Sequence, residues 1–209
     1  MKKLVIIGAG GMGRAIYNLA IVSNGYGSEY EIKGFIDDNI NALADFEGFP
    51  SILNTINDYQ ISENDIFVNS MGNVGSKKKC NINILNKGGK FINLVHPKAS
   101  LQLHSKIGIG CIILENAVIS VNAIVGDFTL IQTGAIVGHD VVVGNGSRID
   151  NYVVLVGGSS IGNNVTVHTG AIINHNVRVN DNATVGAGSF VIRDVKESTT
   201  VFGNPAKRL

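Results

Sequence analysis

The 209-residue chain lacks most of what marks a specialised surface. Its two cysteines, Cys80 and Cys111, are too few for a disulfide framework, so a reducing compartment fits best. Charge of one sign is missing too. Seventeen Lys and Arg face 16 Asp and Glu, which argues against the basic stripe of a nucleic-acid binder. With three prolines and no triplet period, the 26 glycines are not those of a collagen-like chain. No apolar run is long enough to span a membrane. The opening MKKLVIIGAGG is brief, and the glycine turn that follows explains it better than a signal peptide does. These absences describe a soluble, cytoplasmic protein with no membrane or nucleic-acid partner. They leave the glycines for corners that need φ > 0 or close backbone approach.

What is present is a ladder. From Val95 to Val191 every sixth residue is aliphatic without interruption, and four residues after each stands a small or β-branched one, from Ala99 to Val195. A helix repeats every 3.6 residues and a strand every 2, so neither explains a sustained period of six. A hexapeptide solenoid does, because each hexad is a short strand plus a turn, and stacked coils bury one continuous core. With three hexads per coil, residues 18 apart are neighbours on adjacent coils. Residues 95–196 are therefore expected to form a left-handed parallel β-helix, and 197–209 a capping tail that leaves the coil over Glu197–Thr200.

Residues 1–94 read differently. KLVIIG (3–8) is a buried parallel strand that runs into Gly8-Ala9-Gly10-Gly11-Met12-Gly13, followed by a helix over Arg14–Ser23. Strand, glycine turn and helix together make a phosphate cradle from bare N–H groups at a helix N-terminus. A second strand, Ile32–Ile36, ends at Asp37-Asp38, where a carboxylate would meet a ribose or base. A third, Ile66–Val68, ends in the tight loop Ser70–Asn73, and a polar helix is expected over Ser76–Lys87. This α/β, Rossmann-like region has room for only one mononucleotide-binding half. It predicts a nucleotide or sugar nucleotide, and no hydride chemistry.

Histidine is the natural general base near neutral pH. His96, beside Pro97, reads as structural, and His104 and His168 as surface or turn residues. His139 differs because Asp140 follows it, and a carboxylate can fix an imidazole's tautomer. Neighbours on a strand point to opposite faces, so this pairing requires the turn to bend. His175 lies 36 residues on, two coils from His139, with Gly157 halfway between. That spacing, roughly 9–10 Å, is too wide for one ion, and no catalytic metal is expected.

Six segments, GAGGMG (8–13), FIDDN (35–39), MGN (71–73), VHPKA (95–99), GHDVVVG (138–144) and FGNPAKRL (202–209), run in one order along nearly the whole chain. In them the chain resembles the bacterial sugar acyltransferases of the sialic-acid O-acetyltransferase and bacillosamine-pathway N-acetyltransferase family. The resemblance implies transfer of acetyl from acetyl-CoA to the 4-amino group of a UDP- or dTDP-linked amino-dideoxy sugar, by a homotrimer. By the same resemblance His139 is the general base, Asp140 its acidic partner and Gly157 the backbone donor to the oxyanion. Gly10, Gly11, Met12, Asp37, Asp38 and Gly72 match nucleotide-binding positions; Arg148, Gly157, Thr169 and Ala187 match acetyl-CoA-binding ones.

The chain departs from the family pattern in three places. Met12 replaces a frequent histidine, Arg148 stands where relatives often carry a second histidine near the donor, and IDNYVVLVGG (149–158) is bulkier than usual. A guanidinium suits a coenzyme A phosphate but cannot act as a base. Sugar or sialic acid O-acetylation on the same scaffold, and a non-catalytic nucleotide-sugar-binding role, are the competing readings. The short α/β region disfavours a dehydrogenase.

Overall fold

Leu4–Ile7 are wholly buried, as expected of a strand flanked on both sides and covered on both faces. They belong to β1 (Lys2–Ile7), which is followed by α1 (Gly11–Val22), β2 (Tyr30–Ile36), β3 (Ile52–Asn54), β4 (Asp65–Asn69), α2 (Val74–Asn86) and β5 (Lys90–Phe91). The computed structural model describes residues 1–209. These elements form the first of two compact units, Met1–Leu94 and Val95–Leu209. The five strands are parallel in the order β3-β2-β1-β4-β5. The order reverses between β1 and β4, which opens a crevice at their carboxyl ends, where α/β sheets bind ligands. The edge strand β3 had no signal in the sequence: it has three residues, none of them buried.

Two helices begin earlier than their apolar patterns suggest. Helix α1 starts at Gly11 rather than Arg14, because glycines carry no periodic signal even when they are helical. Helix α2 starts at Val74, where the Asn73 side chain accepts from the Ser76 N–H at 2.9 Å.

The second unit is a parallel β-solenoid of seventeen two-residue strands, β6 (Leu94–Val95) to β22 (Phe190–Val191). Three sheets run along it, and paired residues are 18 apart throughout, as in Val118↔Ile136 and Ile136↔Val154. Ladder residues and their small partners, from Cys111 to Val201, fuse into one core. The fourth position of nearly every hexad is left-handed, filled mostly by Gly or by Asn116, Asn122, Asn164, Asn176 and Asn182, and once each by His104 and Asp140. Those are the residues that reach that region most cheaply. Phe128 and Tyr152 are costly exceptions. Each ring lies on a glycine one coil earlier: a β-carbon on Gly110 would fall 2.5 Å from Phe128, and one on Gly134 2.7 Å from Tyr152.

One corner is held by a ladder of acids and amides. Asp127, Asn145, Asn163 and Asp181 each accept, through Oδ1, the backbone N–H of the residue 18 before, at 2.8–2.9 Å. The glycine before each recipient leaves the space: a β-carbon on Gly108, Gly126 or Gly162 would fall 2.1–2.4 Å from the accepting oxygen, and one on Gly144 would fall 2.6 Å from the Gly162 carbonyl of the next coil. The Asn163 N–H, with its side-chain amide second, holds the Asp181 carboxyl below its ordinary 3.8. A depressed carboxyl stabilises the fold fully above its unfolded pKa and loses that contribution as pH falls through the lower, folded one. Asp181→Asn keeps the acceptor, as at positions 145 and 163, and removes the titration. Melting curves from pH 7 to pH 3 should therefore fall less steeply at the acid end for Asp181→Asn than for the wild type. Superimposable pH profiles would refute the role.

The end of the solenoid departs from expectation. Thr200 does not leave the coil: β23 (Thr200–Gly203) pairs in parallel with β21 (Thr184–Val185), 16 rather than 18 residues away. The final turn is two residues short, and its left-handed residue is Ser198. Strand β24 (Ala206–Arg208) then folds back antiparallel on β23, so an antiparallel hairpin ends this sheet. No helix of the chain is long and apolar enough to cross a membrane.

Candidate active site

In the first unit the glycine turn, Asp37-Asp38 and Ser70–Asn73 meet at one sheet edge. Gly8 is left-handed (φ +91°), and a β-carbon on Gly13 would fall 2.1 Å from the Gly8 carbonyl oxygen, so this turn admits only glycine at position 13. Ser70 Oγ donates to the Ile7 carbonyl at 2.7 Å, tying the third loop to the first. Asp37 is spent largely on the fold: its two oxygens accept from Ala9 N–H at 2.7 Å and Asn39 N–H at 2.8 Å. Asp38 is exposed and accepts from Ile56 N–H at 3.1 Å.

A cleft of about 400 Å³ opens here, lined by Asp38, Ile56, Met71, Lys79 and Cys80 among others. Burial pushes the Cys80 thiol up to about 12, so it is an inert wall. Gly10 and Gly11 are exposed at the start of α1, whose N-cap, Gly10, has no side-chain capping bond; Met12 and Gly72 are half-buried.

In the second unit the required bend is present. Asp140 is left-handed (φ +59°), which swings its carboxylate back, and His139 Nδ1 lies 2.8 Å from Asp140 Oδ2. The other carboxylate oxygen accepts from Asn122 Nδ2, one coil earlier, at 3.0 Å. The His139 bond first, then the Asn122 bond, holds the Asp140 carboxyl below the ordinary aspartate range. An ionised carboxylate on Nδ1 leaves Nε2 as the basic nitrogen.

Nε2 points along the corner to Gly157, where a β-carbon would fall 2.3 Å from it. Gly157 donates no hydrogen bond within the chain, while its carbonyl accepts from His175 Nδ1. One corner thus carries His139, Gly157 and His175 on three successive coils. The His139 side chain is 64% exposed, open to a ligand from solvent.

The remaining predicted residues lie elsewhere. Thr169 and Ala187 are exposed and 18 apart, on a different corner of the solenoid and not beside His139. Arg148 is held by Asp150 and does not extend freely, its Nη2 lying 2.8 Å from Oδ2. His168, read from the sequence as a surface residue, shares that carboxylate through Nδ1 at 3.1 Å. Asn122, Gln132, Asp150 and His168 carried no local signal; only a spacing of 18 links Asn122 to Asp140, and Gln132 through Asp150 to His168. No group of three or more His, Cys, Asp or Glu comes together in a way that could hold a metal.

Comparison with known proteins agrees with the fold of both units. The PglD N-terminal domain family matches residues 3–84, and the bacterial transferase hexapeptide family matches 158–193. No curated protein sequence matches significantly. Among solved structures, the acetyltransferase domain of PglB from Neisseria gonorrhoeae is similar over 100% of both chains, with 30% identity and a TM-score of 0.90. The same domain solved with acetyl coenzyme A gives 31% identity over 100% and 99% of the two chains, with a TM-score of 0.89. PerB from Caulobacter crescentus, in complex with CoA and GDP-perosamine, shares the fold at 24% identity, over 100% of this chain and 98% of that one, with a TM-score of 0.89. A domain of this identity that matches over the whole of both chains, with the expected glycine turn and solenoid both in place, settles the assignment: the chain belongs to the PglD-like family of hexapeptide-repeat sugar acetyltransferases, and it is an acyltransferase.

Proposed function

We propose that the protein transfers acetyl from acetyl-CoA to the 4-amino group of a UDP- or dTDP-linked amino-dideoxy sugar, with His139 as general base. The observation that carries this reading is the 2.8 Å His139–Asp140 pair with Nε2 turned to Gly157. In the reaction the amine nitrogen attacks the thioester carbonyl carbon while His139 Nε2 takes a proton from it. Asp140 holds the resulting imidazolium, and the Gly157 N–H receives the developing oxyanion. The carbon–sulfur bond then breaks, and the proton passes to the leaving thiolate.

Gly10, Gly11, Met12, Asp37, Asp38 and Gly72, around the cleft of the first unit, hold the nucleotide. A homotrimer completes the reading. Along the outer face of one sheet Val118, Ile136, Val154, Ile172 and Phe190 stack in register, an apolar stripe suited to a second copy of the chain. The acyl donor would lie between copies, which would bring Thr169 and Ala187 of one to His139 of another. The setting is the cytoplasm, where Cys80 and Cys111 stay reduced.

Thiol release from acetyl-CoA, followed with UDP-, dTDP- and GDP-linked 4-amino sugars and with sialic acid, tests the reaction. Turnover with a UDP- or dTDP-linked amino sugar is expected. Turnover with sialic acid alone would replace this reading with O-acetylation. No release with any acceptor, alongside tight nucleotide binding, would leave a binding protein.

A further inference from the structure

The eight-stranded sheet of the solenoid carries a second histidine–carboxylate constellation that the acetyl-transfer step does not use. Gln132, Asp150 and His168 occupy the same slot on three successive coils, and Asp150 in the middle is almost wholly buried. Its oxygens accept from Gln132 Nε2, from Arg148 Nε at 2.5 Å and Nη2 at 2.8 Å, and from His168 Nδ1 at 3.1 Å. Four donors saturate the carboxylate, so Asp150 itself has nothing left for a ligand. What it presents outward are the groups it holds: the Arg148 side chain, 26% exposed, and the His168 side chain, 39% exposed.

The slots around it take hydrocarbon without difficulty. Leu114 stands one coil before Gln132 in the same column, and Leu130, paired in register with Arg148, is buried. Burying an ion pair where aliphatic residues also fit is at best neutral for stability, which points to another use for it.

We infer that Arg148 and His168, fixed side by side on adjacent coils by buried Asp150, form a clamp for a phosphate group of one of the two diphosphate-bearing substrates. A planar guanidinium and an imidazole whose Nδ1 is committed to a carboxylate present charge and directed donors with little ordering left to do on binding. Asp150 is a positioning residue here, and Gln132 completes its shell. The inference rests on the acetyltransferase reading, because that reading supplies both phosphate-bearing ligands.

Calorimetric titration of the full chain with coenzyme A, and separately with UDP, dTDP and GDP, tests it on the wild type, His168→Ala and Asp150→Asn. Each variant should weaken one class of ligand by about tenfold or more, as for a lost charge-assisted hydrogen bond, and leave the other class unchanged; His168→Ala should also keep the wild-type melting temperature, whereas Asp150→Asn, which breaks a buried pair, should lower it. Loss confined to coenzyme A assigns the clamp to the donor, and loss confined to a nucleotide assigns it to the acceptor. Unchanged affinity for both, or equal weakening of both, overturns the clamp. His168→Ala alone suffices if Asp150→Asn does not fold, since the histidine is the more exposed partner. A wild type that binds neither class would overturn the acetyltransferase reading and the clamp together. A wild type that binds both while the variants match it overturns the clamp alone.

Discussion

His139→Ala is expected to lower kcat by about 10²–10⁴-fold, the usual cost of a lost general base, without lowering the melting temperature. The two halves of that expectation have separate causes. His139 is mostly exposed and its ring packs into no core, so removing it leaves no cavity. Its Nε2, however, is the one basic nitrogen set against a backbone N–H with no partner of its own. Asp140→Asn should lie between wild type and His139→Ala, because an amide still bonds the ring but no longer favours the imidazolium. Steady-state kinetics with acetyl-CoA and the accepted amino sugar measure both. Near-full turnover by His139→Ala would remove the base from the mechanism.

Gly157→Ala should be almost as damaging, about 10²–10³-fold in kcat, within the range for a displaced general base, although a methyl group is all that is added. A β-carbon there would sit 2.3 Å from His139 Nε2, 2.5 Å from Cε1 and 2.8 Å from Cδ2. No side chain tolerates that, and the exposed end of His139 is what can move, so the ring should swing away while the coil stays intact. The backbone N–H survives the substitution, so the loss should run through His139. The double variant His139→Ala/Gly157→Ala should therefore be no slower than His139→Ala alone, a non-additivity expected of residues that act as a unit. Fully additive losses would separate Gly157 from the base.

Much of this architecture is legible in the sequence because one rule governs it. Inward slots accept only aliphatic or small residues, so Val95 to Val191 spell out the solenoid hexad by hexad. The spacing of 18 that follows from it places Gly157 beside His139. What stays hidden depends on conformation or on charge. Asp140 reaches His139 only because its residue is left-handed, and the fourth slot advertises that through Gly and Asn in other hexads but not through Phe128 or Tyr152. The bond between His168 and Asp150 spans 18 residues, and in the linear sequence each looks like an isolated surface group. Helix α1 gives no periodic sign of its first turn because that turn begins with glycines, the feature that leaves its N–H groups bare. The shortened final coil is invisible for a different reason: Val195 continues the ladder's small-residue pattern while the backbone has already begun to close early.

The constant 18-residue register also quantises the length of this protein. A whole extra coil inserted into the solenoid would lengthen it by about 4.8 Å and return every later side chain to its own face. An extra hexad would rotate everything downstream by one face, carrying Gly157 away from His139 if it fell between them. The chain can therefore grow or shrink by duplicating or deleting complete coils away from residues 139–175, and descendants of different height would inherit the same reactive corner.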